Sequence, residues 1–136
     1  MKNYHATSSL ILRLGMAAVV AWFGTAQITN PAAWVSLVPN WAMSISPLSR
    51  AWIIYLNGGF EIIAALFLAL GIFSRWAALL LSLHLLVIAS AFGSSPTGVR
   101  DFGLAVALFV IFLSGKDSYC LDYKDTSKET LVIEIK

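Results

Sequence analysis

The chain has 136 residues, of which 59% are hydrophobic and only 12% are charged, and its formal net charge is +2. Soluble domains carry about 25% charged residues, so this composition excludes an ordinary soluble protein and indicates an integral membrane protein. The small net charge, without a clustered basic face, also excludes nucleic acid as a partner, and the length is that of one domain.

Four apolar stretches are long enough, or nearly so, to cross a bilayer core, which takes about 20 helical residues. We therefore predict an all-α fold, an integral membrane four-helix bundle. The predicted spans are residues 10–26, 52–73, 76–92 and 99–113. The last span is short, so its helix is expected to begin before Arg100 or to hold Arg100 at headgroup level. These spans form a membrane domain over residues 1–115, and a polar tail follows over residues 116–136.

The segments between the predicted spans differ in character. "GIFSR" (71–75) predicts a tight turn, and "GSSPTG" (93–98) predicts a loop of helix-breaking residues. Residues 29–50, which we call the lid segment, contain three of the four prolines together with Trp34 and Trp41. Proline prevents a single long helix there and tryptophan favours the headgroup boundary. We therefore predict a lid that lies along the membrane surface.

Positive charge near the span ends predicts the orientation. With the N-terminus inside, the inner side collects Lys2, Arg13, Arg75, Lys116, Lys124 and Lys128. The outer side then has only Arg50 and Arg100. Both termini are therefore expected in the cytoplasm, with the lid segment outside a bacterial inner (plasma) membrane. The first span also resembles a cleavable signal peptide, with small residues at 24–26, but we interpret it as a membrane span.

Glu61 lies inside the second predicted span and is the most informative polar residue. A charged side chain at the bilayer centre costs at least about 2.5 to 3.5 kcal/mol, so such residues normally face the bundle interior. Glu61 follows Trp52 by nine residues, which is roughly 13 Å along a helix and close to the midplane. Asn57, Gly58 and Ala64 share its helical face, which predicts contact with another helix rather than with lipid.

Three spans offer partners for Glu61. His84 lies near the centre of the third span, and Arg100 with Asp101 opens the fourth. We predict an internal network of Glu61, His84 and Arg100, with Asp101 holding Arg100. Arg13 is close enough to the inner surface to extend its head group towards water, so we assign it a structural charge. The buried charges could equally serve only to fix helix register.

The pattern of polar residues narrows the chemistry. One His and one Glu fall short of a metal site or a haem pair, and the sequence contains no flavin or nucleotide motif. A Glu61/His84 pair that exchanges protons does suit a quinone, which needs aromatic contacts, hydrogen-bond donors and a proton route. We predict that Asn57, Arg100, Asp101, Trp34 and Trp41 contribute to quinone binding, and we predict no metal.

Several motifs resemble those of the DoxX family of small four-span membrane proteins. They are "RLGMAAVVAWFGTAQ" and "NPAAW", "GGFEIIAALFLALGIFSRWAALLLSLHLL", and "VRDFGLAVALFVIFLSGKDSYCLD", which together cover about residues 10–122. The resemblance implies a membrane partner in a redox complex. The related DoxD type is a subunit of a thiosulfate:quinone oxidoreductase, and other members are linked to oxidative-stress proteins and to thiol or sulfur metabolism.

Carried onto this chain, the family pattern points to Arg13, Glu61, Arg100 and Asp101. The family often has lysine where this chain has Gln27, which weakens the case for an anionic substrate there. With the single cysteine, Cys120, no dithiol pair forms within the chain, so electrons would come from a cofactor on a partner. The resemblance therefore favours a subunit over a complete enzyme.

Three functions remain open from the sequence. The first is a quinone-linked redox subunit with a protein partner or a second copy of itself. The second is a structural anchor that organises a larger complex by helix packing. The third and least favoured is a proton-coupled transporter of a small solute, since no inverted repeat is evident. The tail ends in "TLVIEIK", which is either a solvated segment or a strand that pairs with a partner's sheet edge.

Overall fold

The structure, a computed structural model, describes residues 2–115 and 117–121, without the side chains of residues 2 and 3. Within this part of the chain the α-helices are α1 (Lys2–Thr29), α2 (Asn40–Ile45), α3 (Arg50–Leu70), α4 (Ser74–Phe92) and α5 (Pro96–Ser114). Two 3₁₀ turns, Pro31–Ala33 and Val35–Leu37, precede α2. Helices α1, α3, α4 and α5 are long and apolar enough to cross a membrane. The predicted all-α, four-span fold is confirmed, and the chain is a multi-pass membrane protein in contact with lipid.

The four long helices form a closed ring. Helix α1 packs mainly on α3 and α4 mainly on α5, while smaller contacts between α3 and α4 and between α1 and α5 complete the bundle. Its core consists of small and branched side chains: Met16, Ala17, Val20, Ala64, Ala65, Leu68, Ala78, Leu81, Leu85, Ala105, Leu108 and Ile111. On α3, Gly58 and Glu61 are buried while Phe60 and Phe67 face outward. The predicted inward orientation of Glu61 is therefore confirmed.

Helices α1 and α3 approach most closely at a pair of glycines. A Cβ atom on Gly24 would lie 2.7 Å from the carbonyl oxygen of Gly58, and a Cβ atom on Gly58 would lie 2.7 Å from that of Gly24. No side chain fits at such a distance, so only glycine permits this backbone approach. Because Gln27 and Glu61 each follow one of these glycines by three residues, the contact brings their side chains together.

The helix ends differ from the predicted ones where turn chemistry intervenes. Helix α3 stops at Leu70, three residues before the predicted end, because Gly71 adopts a left-handed φ of 71°. The N–H of Ile72 donates to Phe67 O and that of Gly71 to Leu68 O, which is a Schellman cap. The predicted loop 93–98 is shorter than expected, since Pro96 is the first residue of α5 and Ser95 caps it. Helix α5 therefore does begin before Arg100, as predicted.

Part of the predicted polar tail packs on the bundle. Asp117 and Cys120 are both buried. A Cβ atom on Gly71 would lie 2.6 Å from Cys120 Cα, and the N–H of Leu121 donates to Leu70 O at 3.3 Å. The chain leaving α5 therefore rests on the turn between α3 and α4. The predictions for "TLVIEIK" concern residues outside those that the structure describes.

Candidate functional site

A cavity of about 260 Å³ lies between the lid segment and the middle of the bundle. Helices α1, α3, α4 and α5 all contribute to its walls. Most of the lining is apolar, and its aromatic members are Phe23, Trp34, Trp41 and Phe92. Its polar members are Gln27, Asn57, Glu61, His84, Thr97, Arg100 and Asp101. An apolar pocket with a few convergent polar groups is the usual form of a small-molecule site.

The Glu61 carboxylate is held by two amide side chains. Gln27 Nε2 donates to Glu61 Oε2 at 2.9 Å, and Asn57 Nδ2 donates to Glu61 Oε1 at 3.0 Å. Asn57 Nδ2 also donates to Gln27 Oε1 at 2.7 Å, which closes the ring of three residues. Glu61 itself is only 3% exposed. The two donors supply the hydrogen bonds that a buried carboxylate loses with water.

His84 faces Glu61 from α4 without forming a hydrogen bond. Its Nε2 lies 3.5 Å from Glu61 Oε1, within ion-pair distance but not aligned for hydrogen bonding. Among the described residues this buried nitrogen has no hydrogen-bond partner. The imidazole packs against the Phe60 ring, with centroids 4.9 Å apart, and its side chain is 25% exposed. A buried nitrogen without a hydrogen-bond partner, on a residue that lines a cavity, is a candidate for binding a ligand.

Arg100 and Asp101 form a second charged pair on α5. Arg100 Nε donates to Asp101 Oδ1 at 2.8 Å, and the guanidinium lies over the Phe23 ring at 4.6 Å from its centroid. Asp101 is buried, whereas the Arg100 side chain is 44% exposed. The pair therefore holds the arginine against an aromatic face of the cavity.

The lid segment covers the cavity and is fixed by an arginine. Trp34, Trp41 and Val38 line the cavity from this segment. Arg50, the first residue of α3, donates to Val38 O at 2.9 Å and to Asn40 Oδ1 at 3.0 Å. The Trp34 ring meets the Phe23 ring edge-on, with centroids 6.0 Å apart. The lid is thus a structured wall of the cavity.

The residues predicted to form the site lie together around this one cavity: Asn57, Glu61, His84, Arg100, Asp101, Trp34 and Trp41. Instead of the single predicted network, the structure contains two pairs, Glu61 with His84 and Arg100 with Asp101. Within residues 2–115 and 117–121, no hydrogen bond or ion pair joins Arg100 to Glu61, because Arg100 is held by Asp101 and Phe23. Sequence reasoning missed Gln27 as a partner of Glu61. The only feature of the sequence that indicated this role is that Gln27 is a lone amide, three residues after Gly24, at the end of an apolar span.

Arg13 lies at the opposite end of the bundle and does not reach towards water as expected. It is 2% exposed, and its Nε donates to Asp117 Oδ2 at 2.9 Å. Its Nη1 donates to Leu68 O at 2.7 Å and to Ala69 O at 2.8 Å, which satisfies the last carbonyls of α3. The expectation failed because the chain after α5 returns to the bundle with a carboxylate. The assigned structural role fits this arrangement.

Comparison with known proteins gives a family. The sequence model of the DoxX family matches residues 8–94, which is more than half of the chain. The match includes Gln27, Asn57, Glu61 and His84, and it ends before α5. Neither the curated proteins nor the solved structures give a significant match. The four-span bundle and this match together show that the chain belongs to the DoxX family.

Proposed function

We propose that this protein is the membrane subunit of a quinone-linked redox complex and that its cavity holds the quinone ring. The observation that carries the proposal concerns His84, which lines a mainly apolar cavity: its Nε2 lies beside the Glu61 carboxylate but has no hydrogen-bond partner among the described residues. A ligand oxygen atom in the cavity would satisfy this nitrogen once the imidazole turns towards it. The aromatic walls would cover the faces of a ring.

The size of the cavity suits a ring with substituents. An apolar protein cavity of about 150 Å³ is large enough for benzene, and this one measures about 260 Å³. A long isoprenoid tail exceeds that volume, so it would remain among the lipid chains. The ring would then lie between the lid segment and Glu61, next to Trp34 and Trp41.

Quinone oxygens accept hydrogen bonds and take up protons when the ring is reduced. His84 can donate from Nε2, and the Glu61 carboxylate lies beside that nitrogen at 3.5 Å. In turn, Gln27 and Asn57 fix the orientation of the carboxylate. The electrons would come from a cofactor on a partner protein, so this chain's own residues bind the ring and supply protons.

A binding measurement tests the proposal. The purified chain in lipid nanodiscs is titrated with menadione, a neutral naphthoquinone, and tryptophan fluorescence is followed. We expect saturable quenching that is lost in a Trp34→Phe/Trp41→Phe double variant. A Trp76→Phe variant is the matched control and should retain it, since Trp76 is exposed beside Phe112 and is not a cavity residue. Quenching that rises linearly and equally in all three proteins would refute a ring site in the cavity.

A structural anchor is the second candidate, and one observation favours it. The ring of hydrogen bonds among Gln27, Asn57 and Glu61 is complete without a ligand and joins α1 to α3. In an anchor, Glu61→Gln would lower the recovery of a co-purifying complex without changing its kinetics. In a quinone subunit, the same variant would assemble normally and lose quinone-dependent turnover.

We further propose that both termini lie on the cytoplasmic side of a bacterial inner membrane, with the lid segment on the outer side. Arg75 and Lys116 would then be inside, and Arg50 and Arg100 outside. Single cysteines introduced in a Cys120→Ser background, at Ser36 in the lid and at Ser127 in the tail, test this with a membrane-impermeant maleimide. Labelling of intact cells at position 36 alone supports the orientation, and labelling at position 127 alone reverses it.

A further inference from the structure

We infer that the cavity selects its ligand by charge: it takes a neutral or cationic ring compound and excludes an anionic one. This inference rests on the proposed function and adds the charge class of the ring compound. It follows from the charges in the cavity wall, from the way each is paired, and from the aromatic faces between them.

The charged lining of the cavity is acidic in balance. Of the described residues that line it, Glu61 and Asp101 are acidic, Arg100 is basic, and His84 is the remaining titratable group. Counted at formal charges, with histidine neutral, these residues leave one negative charge. Arg50 is bound to Val38 and Asn40 and is not a lining residue. A cavity with this lining repels an anion unless a proton enters with it.

The negative charge that is left over lies on Glu61, because the partners of Glu61 are neutral. Gln27 and Asn57 both donate to the carboxylate, one to each oxygen, and neither adds a positive charge. Hydrogen bonds from neutral donors hold a carboxylate in place without cancelling its charge. The carboxylate therefore acts on the cavity as a fixed negative charge in a medium of low dielectric constant.

The positive charge in the wall is already paired. Arg100 Nε lies 2.8 Å from Asp101 Oδ1, and its guanidinium covers the Phe23 ring. An anionic ligand that approached this guanidinium would also meet the Asp101 carboxylate, which already offsets the charge of the arginine. It would also lose its own hydration on entering an apolar cavity, which is costly for an unpaired ion.

The aromatic walls suit a cation equally well. Phe23 already holds the Arg100 guanidinium at 4.6 Å from its ring centroid. Trp34, which meets the Phe23 ring edge-on, and Trp41 provide two larger aromatic faces from the lid segment. Tryptophan is the aromatic side chain that binds cations best, and quaternary ammonium groups are the usual ligands of such faces.

Three matched probes test the inference in the unmodified protein. Each is a methyl-naphthoquinone with the same two-carbon side chain, which ends in a hydroxyl, a sulfonate or a trimethylammonium group. These groups are permanently neutral, negative and positive near neutral pH. Dissociation constants are measured for the chain in nanodiscs of zwitterionic lipid, and binding to empty nanodiscs is subtracted. We expect the sulfonate to bind on the order of tenfold to a hundredfold more weakly than the hydroxyl probe, and the ammonium probe to bind at least as tightly.

The outcomes separate this inference from the proposed function. If the sulfonate binds as tightly as the hydroxyl probe, charge selection is wrong while a ring site still stands. If none of the probes binds, both are overturned. Two variants locate the charge: Glu61→Gln and Gln27→Lys should each bring the sulfonate to within about threefold of the hydroxyl probe. The matched control, Arg75→Gln, changes the charge by one unit at the far end of α4 and should leave the ratio unchanged; an equal change there would also count against selection by Glu61.

Discussion

The two ends of the bundle place buried charge in different ways. At one end, Arg13 is surrounded by Asp117, Leu68 O and Ala69 O at 2.7 to 2.9 Å. Towards the other end, Glu61 is held by Gln27 and Asn57, and His84 lines a cavity of about 260 Å³ while its Nε2 has no hydrogen-bond partner among the described residues. A closed set of contacts stabilises the fold, whereas an open one leaves a group available for a ligand. The comparison predicts that variants at the two ends fail in different assays.

The largest effect is expected at the open end. Glu61→Gln keeps the size of the side chain but replaces the carboxylate beside His84 Nε2 with an amide, which cannot exchange a proton. Quinone-dependent turnover of the complex should fall by about a hundredfold or more, the usual contribution of a general acid or base. Turnover in native membranes is the measurement, and the amount of assembled complex is the control. Unchanged turnover would place Glu61 in the same structural class as Arg13.

A large loss of stability is expected at the closed end. Asp117→Asn leaves the Arg13 guanidinium buried without a carboxylate, and breaking a buried pair in this way costs about 3 to 5 kcal/mol. The free energy of unfolding, measured by SDS titration in mixed micelles, should fall by that amount. Menadione binding by the folded fraction should not change.

A double variant sharpens this prediction. Arg13→Met/Asp117→Leu removes both charges, and it should recover part of the lost stability because no unpaired ion remains. If the double variant is less stable than Asp117→Asn, Arg13 contributes chiefly through the carbonyls of α3 and not through the ion pair.

A smaller effect is expected where α1 crosses α3. A methyl group on Gly58 would lie 2.7 Å from Gly24 O, so Gly58→Ala must push the helices apart and should cost about 1 to 3 kcal/mol. The neighbouring variant Gly59→Ala is the control, since a Cβ atom there meets nothing within 4 Å. Gly58→Ala should also weaken menadione binding, because the crossing sets the distance between Gln27 and Glu61. Equal effects of both variants would mean that backbone flexibility, and not the crossing, is being measured.

The smallest effect is expected in the lid segment. Arg50→Gln removes the hydrogen bonds to Val38 O and Asn40, which lie at the partly exposed edge of the bundle. Menadione affinity should fall by about threefold to tenfold, in keeping with the loss of roughly 1 kcal/mol in hydrogen bonds. Arg75→Gln, which removes an arginine from the other end, should leave affinity unchanged.

The fold and most of the site could be predicted from the sequence because the chain folds in a lipid bilayer. Apolar length gave the four spans, and the rule that buried ions avoid lipid placed Glu61 inward, towards Asn57 and His84. The turn residues explain why two helix ends differ from the predicted ones: α3 stops early at Gly71, and α5 begins at Pro96, inside the predicted loop. These features depend on local chemistry, which the sequence displays directly.

The partners of the buried charges could not be predicted in the same way. Gln27 reaches Glu61 only because two glycines on different helices meet, and the sequence shows each glycine separately. Asp117 reaches Arg13 only because the chain turns back after α5, in a segment that reads as polar and solvated. Pairing across the bundle depends on helix crossing and on the path of the exit segment, which hydropathy does not encode.

The close contact between Cys120 and Gly71 has a mechanical consequence. Residues 117–121 connect the end of α5 to the turn between α3 and α4. At that end, the α4–α5 pair is therefore held against the α1–α3 pair. The two 3₁₀ turns of the lid segment pack on α1 and α3, which belong to one of these pairs. We therefore expect the two helix pairs to separate least beside Arg13 and most at the cavity, next to Trp34 and Trp41. A lipid-borne ring would thus enter where the helices part most readily.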